Sequence, residues 1–147
     1  MPTIETEYAG ELRTVALHVA SGNRIVTDAP LDNHGRGEAF SPTDLTCASL
    51  GSCMLTLMGI KAAQHHLDLT GTRVAITKEM APDGPRRIGR IRLNFTFPPA
   101  TAAFSARDRE VLERAALTCP VALSLHPDIE QVARFEWGGR DANVLTC

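Results

Sequence analysis

Residues 41–65, SPTDLTCASLGSCMLTLMGIKAAQH, carry the pattern that decides the fold. Ser41 is a natural N-cap, Pro42 stands at a first helical position, and Asp44 lies where a capping-box acid belongs. A helix is predicted from here to about His65. Leu45, Leu50, Met54, Leu55, Leu57, Met58 and Ile60 make it apolar nearly all round, so other elements or a second subunit must wrap it. The run from Leu45 to Ala63 approaches membrane-spanning length. Lys61, the many Gly, Ser, Thr and Cys residues and the polar flanks favour a buried core helix instead.

Outward from this helix, residues 3–8 and 12–19 read as strands, with Val15, Leu17 and Val19 alternating against Thr14, Ala16 and His18. Ser21-Gly22-Asn23 signals a tight turn before a short strand near Ile25–Thr27. Residues 28–40, DAPLDNHGRGEAF, are dense in turn formers and read as a loop. Downstream, 72–80 and 88–97 are strands joined through Pro82-Asp83-Gly84-Pro85, the second marked by Ile91, Leu93, Phe95 and Phe97 on one face. Ser105 and Asp108 open a second helix ending near Thr118. Pro120 starts a short one through Leu125, and 130–137 form a last strand. The order β-β-β-α-β-β-α-α-β indicates an α+β domain over residues 1–137, with 138–147 as a flexible tail.

Composition narrows function. The chain has 147 residues, a net charge of −2 and no Lys/Arg block, which gives no footprint for nucleic acid or an acidic membrane surface. The first ten residues, MPTIETEYAG, lack a basic region followed by an apolar one, so a cytoplasmic location is expected. Structural disulfides are not expected there.

Four cysteines, Cys47, Cys53, Cys119 and Cys147, fit neither a zinc spacing nor a dense disulfide scaffold. Cys53 is deep in the apolar helix, where the helix dipole has faded. It is either a small buried hydrophobe or a reactive thiol that needs a cation from elsewhere in the fold. Cys119 precedes Pro120 and so occupies an N-cap, where free backbone N–H groups favour a thiolate. Cys47, six residues before Cys53, lies about 120° away around the helix and reads as core. Cys147 reads as an exposed bystander. His65, His66 and His126 sit at helix ends, where histidine is favoured, and not at metal-ligand spacings.

Two segments, FSPTDLTCASLGSCMLTLMGIKA (40–62) and LERAALTCPVALSLHPDI (112–129), resemble the two signature segments of the OsmC/Ohr family. The 66-residue separation of Cys53 and Cys119 and the strand order both suit it, and the opening segment resembles an OsmC-like branch. The resemblance implies an intertwined homodimer with a long buried central helix. It implies a thiol-dependent peroxidase in oxidative stress defence that needs no metal or organic cofactor, only an external dithiol reductant. Cys53 would attack an organic hydroperoxide and become a sulfenic acid; Cys119 would resolve it to a disulfide. An arginine of the N-terminal strands, Arg13 here with Arg24 as fallback, would hold the thiolate. Met54, Leu57 and Met58 are expected to line a greasy pocket. The family's glutamate ten residues before the first cysteine is Thr43 here, which leaves Asp44 as the candidate to orient the arginine. Asp44 lies about 180° from Cys53 around an ideal helix, so capping explains it as well as catalysis does. The alternative function is a non-catalytic OsmC-like dimer that binds a small apolar or thiol metabolite, or a redox sensor.

Overall fold

The computed structural model describes residues 1–147, which form two compact units, Met1–Thr46 and Cys47–Cys147. Sequence patterning shows no linker at this boundary because it falls inside a continuous helix.

The first unit is an antiparallel meander of β1 (Ile4–Gly10), β2 (Arg13–His18) and β3 (Arg24–Asp28). Gly22, at φ 75°, makes the turn into β3 that Ser21-Gly22-Asn23 predicts. The sheet carries large apolar residues in the open: Ile4, Tyr8, Ile25, Val26 and Phe40 are between 48% and 64% exposed. A three-stranded sheet with so little buried apolar surface depends on further packing for stability.

Helix α1 (Pro42–Gln64) begins with the expected capping box. The amide of Asp44 donates to Ser41 Oγ at 3.1 Å, and the amide of Ser41 donates to Asp44 Oδ2 at 3.0 Å. The helix is long and apolar enough to cross a membrane by length and composition. In the second unit its residues Leu50, Met54, Met58 and Ala62 are core, while Ser52, Thr56, Gly59 and Ile60 face outward. It is therefore not apolar all round in use; one face of small residues lies open. A Cβ on Gly51 would stand 2.5 Å from Ile76 Cδ1, so glycine here lets the helix lie close against β4.

That sheet is ordered β4 (Arg73–Met80), β5 (Ile88–Thr96), β6 (Glu130–Glu136) and β7 (Asn143–Thr146). β4 and β5 form the predicted hairpin, closed by the amide of Ala81 donating to Arg87 O at 2.8 Å. β5 and β6 pair in parallel, which demands a crossover. Helices α2 (Ala106–Leu117) and α3 (Pro120–Ser124) supply it. The alternating residues of β5 and β6 form one stack: Phe95 and Phe135 have ring centroids 5.0 Å apart, and Phe97 and Trp137 lie 3.6 Å apart.

The tail 138–147, expected to be flexible, instead carries β7, paired antiparallel with β6. Its anchor is a buried acid. Glu113 of α2 accepts from Trp137 Nε1 and from Asn143 Nδ2, each at 2.8 Å. A four-residue strand is too short to show alternation, and its tether is a hydrogen bond that sequence spacing does not reveal.

Phe135 is wholly buried at the centre of the stack. Phe135→Ala is expected to lower stability by about 3–5 kcal/mol, read from urea unfolding, because the surrounding rings and strands cannot close on the cavity. A loss below about 1 kcal/mol would mean that the stack does not anchor the second unit.

Candidate active site

Cys53 and Cys119 are 66 residues apart in sequence, yet both are reduced and lie close enough that Cys53 helps to raise the Cys119 thiol above its ordinary value. Cys53 is part-exposed on α1, while Cys119 is wholly buried. The crossover makes this possible. Cys119 is the N-cap of α3, where it receives the amide of Ala122 on Sγ at 3.4 Å. Pro120 at the first helical position sets that geometry.

One electrostatic expectation is corrected. The N-cap position favours a thiolate at Cys119, but burial outweighs it and raises the thiol above its ordinary value. The amide of Ala122 pulls the other way, and the neighbouring Cys53 adds to the rise. Cys119 is therefore held as a neutral thiol. Cys47 is core, as expected. Met54 and Met58 are wholly buried, so they do not line an open pocket; only Leu57 is part-accessible.

Arg13 sits in the first unit, directly across from Asp28 in the β2–β3 ladder. Its Nη2 bonds Glu38 and lies 3.5 Å from Asp28 Oδ2. Asp44 is the sequence candidate for orienting this arginine, and that candidacy is corrected. Its carboxylate takes part in the α1 cap, while the acids acting on Arg13 are Glu38 and Asp28, with Glu11 as a weaker contributor. Arg24, the fallback, stands opposite Leu17 at the other end of the same ladder.

Asp28 is wholly buried, and the loop 29–38 explains how it stays charged. The amide of Glu38 donates to Asp28 Oδ2 at 3.0 Å and is the largest influence lowering the Asp28 carboxyl below its ordinary value, with Arg13 adding to it. The loop folds tightly enough for this only because Gly35 lacks a side chain. A Cβ there would lie 1.7 Å from Ala29 O. The glycines and turn formers that read as an ordinary loop are thus a cradle for one carboxylate. Sequence reasoning missed Asp28 and Glu38; the dense Gly and Asn content after Asp28 was the available signal.

Asp28 gives a signed prediction. Its folded pKa is lowered, so its contribution to stability is complete above the ordinary carboxylate range and is lost as pH falls through the folded value. The urea-midpoint gap between the parent protein and Asp28→Asn should be widest at neutral pH and close on acidification. A gap that grows with acid would contradict the charged, amide-held carboxylate.

The sequence profile of the OsmC-like protein family matches residues 35–131. A solved structure of a Psychrobacter arcticus protein, assigned to the osmotic stress and detoxification response, is 49% identical with a TM-score of 0.84, over 90% of this chain and 94% of that one. An organic hydroperoxide resistance protein OsmC from Legionella pneumophila shares the fold at 13% identity and TM-score 0.68, over 90% of this chain and 96% of that one. One from Elizabethkingia anophelis does so at 15% identity and TM-score 0.67, over 90% and 94%. No curated protein matches the chain. A reduced cysteine pair joined by an α2–α3 crossover, on a fold shared this widely, places the chain in the OsmC-like family.

Proposed function

We propose that this protein is a thiol-dependent peroxidase that reduces organic hydroperoxides in oxidative stress defence. The observation that carries the reading is the contact between the part-exposed thiol of Cys53 and the buried thiol of Cys119. The Cys53 thiolate attacks the terminal oxygen of the hydroperoxide. The O–O bond breaks, the alcohol leaves with a proton from solvent, and Cys53 becomes a sulfenic acid. Cys119 then attacks the Cys53 sulfur; an S–S bond forms and water leaves. An external dithiol reduces the disulfide and is itself oxidised. No metal or organic cofactor takes part.

Arg13 is the cation assigned to the Cys53 thiolate. The family resemblance supplies this assignment; within its own unit the guanidinium is held by Glu38 and the buried Asp28 and keeps its charge. The open apolar residues of β1–β3 support a homodimer, since a second chain gives Ile4, Tyr8, Ile25 and Val26 the cover that the first unit lacks. The organic preference follows the relatives of the same fold that confer organic hydroperoxide resistance. A cytoplasmic location suits a pair kept reduced between turnovers.

The test follows free thiol after mixing reduced protein with cumene hydroperoxide or hydrogen peroxide. The parent protein should lose two thiols per hydroperoxide, Cys53→Ser should be inert, and Cys119→Ser should stall at sulfenic acid. Closure of the disulfide should speed up as pH rises, because burial keeps Cys119 protonated at neutral pH. Thiol loss no faster than that of free cysteine would remove the enzymatic reading and leave a binding module.

A further inference from the structure

The peroxidase reading leaves one cysteine without a role, and the fold does not treat it as a bystander. Cys147 forms a reciprocal backbone pair with Gln131: its amide donates to Gln131 O at 2.8 Å, and its carbonyl accepts from the Gln131 amide at 3.2 Å. Residues opposed in this way project to the same face of a sheet. Gln131 is buried there, and its Nε2 donates to Ala122 O at 3.0 Å. Ala122 is also the residue whose amide holds Cys119 Sγ. On the same side, the Cys147 thiol donates to Leu117 O at 3.7 Å, two residues before Cys119. The contacts therefore run from Cys119 through Ala122, Gln131 and Cys147 to Leu117, which Thr118 joins along the chain to Cys119.

A second observation concerns the same glutamine. Gln131 Oε1 is buried with no hydrogen-bond partner. A buried acceptor normally finds a donor. A Cys147 thiol that turns inward from Leu117 O brings one. β7 lies at the edge of its sheet and has only four residues, so this movement opens few contacts.

We propose that Cys147 is a third redox thiol, which takes the disulfide over from the buried pair and presents it to the dithiol reductant at the sheet edge. This rests on the peroxidase reading above. The Cys147 thiolate attacks Cys119 Sγ within the Cys53–Cys119 disulfide. The Cys119–Cys147 bond forms, and Cys53 leaves as a thiolate with the electron pair. The proton released by Cys147 passes to solvent. No net oxidation occurs in this exchange: the hydroperoxide supplied the oxidation, and the dithiol later removes it. Exposure explains the direction, since Cys119 is sealed and Cys147 is open. Burial raises the Cys119 thiol, and partial desolvation of the Cys147 sulfur against Leu117 raises that of an otherwise exposed residue, so the transfer should speed up with alkalinity.

Two arms test it on the full chain. In the first, reduced Cys53→Ser protein is oxidised with diamide, digested without reductant and mapped by mass spectrometry. A Cys119–Cys147 linked peptide within one chain is expected; a Cys147–Cys147 link between chains, or an unlinked Cys147, overturns the proposal. In the second, the parent protein and Cys147→Ser receive one equivalent of cumene hydroperoxide, and linked peptides are followed with time. The parent should show Cys53–Cys119 giving way to Cys119–Cys147, while Cys147→Ser keeps the first bond. If the first bond persists unchanged in the parent, the relay is wrong and the peroxidase reading stands. If hydroperoxide forms no Cys53–Cys119 bond, both fall.

Discussion

The proposed chemistry depends on one juxtaposition, two thiols carried by elements far apart in the chain and close enough that Cys53 helps to raise the Cys119 thiol. Cys53 is set on α1 by a helix register that starts at Ser41. Cys119 is set by the N-cap of α3, which exists because β5 and β6 pair in parallel and force the chain through α2 and α3. Parallel pairing cannot be closed by a tight turn, so the crossover is obligatory. The buried stack of Phe95, Phe97, Phe135 and Trp137 stabilises that pairing. The aromatic core and the cysteine pair are two consequences of the same topology.

In the proposed reaction, burial divides the work between the sulfurs. A peroxide-attacking thiol needs access, and a resolving thiol needs protection from peroxide. The part-exposed Cys53 and the sealed Cys119 meet those demands. Desolvation keeps Cys119 protonated even at a helix N-cap, because removing water from a thiolate outweighs the weak pull of the Ala122 and Val121 amides on the sulfur. In the proposed cycle a neutral Cys119 does not compete for the peroxide and reacts only with a sulfenic acid formed beside it.

The cradle around Arg13 is built from acids that the sequence pattern did not single out. With Thr43 at the glutamate position, Arg13 is held from the loop 29–38 and the end of β3, not from α1. Asp28 stays ionised in a buried place because backbone amides and a guanidinium replace the water it lost. Asp44 caps the helix. Local rules identified its true role, while family spacing suggested another, and the local rules won because a capping box acts over three residues and needs nothing from the rest of the fold.

What was legible in the sequence was short-range. Helix starts at Ser41 and Ser105, the alternation of β5, the Pro82–Pro85 turn and the N-cap position of Cys119 all follow from neighbours within about four residues, where propensity and capping act. What only the tertiary structure decided was set by contacts between distant residues: the meeting of Cys53 with Cys119, the burial that reverses the charge preference of Cys119, the choice of Asp28 over Asp44, and the docking of Asn143 on Glu113. Desolvation and pairing depend on what folds against a group, and that is a property of the packed chain, not of its local pattern.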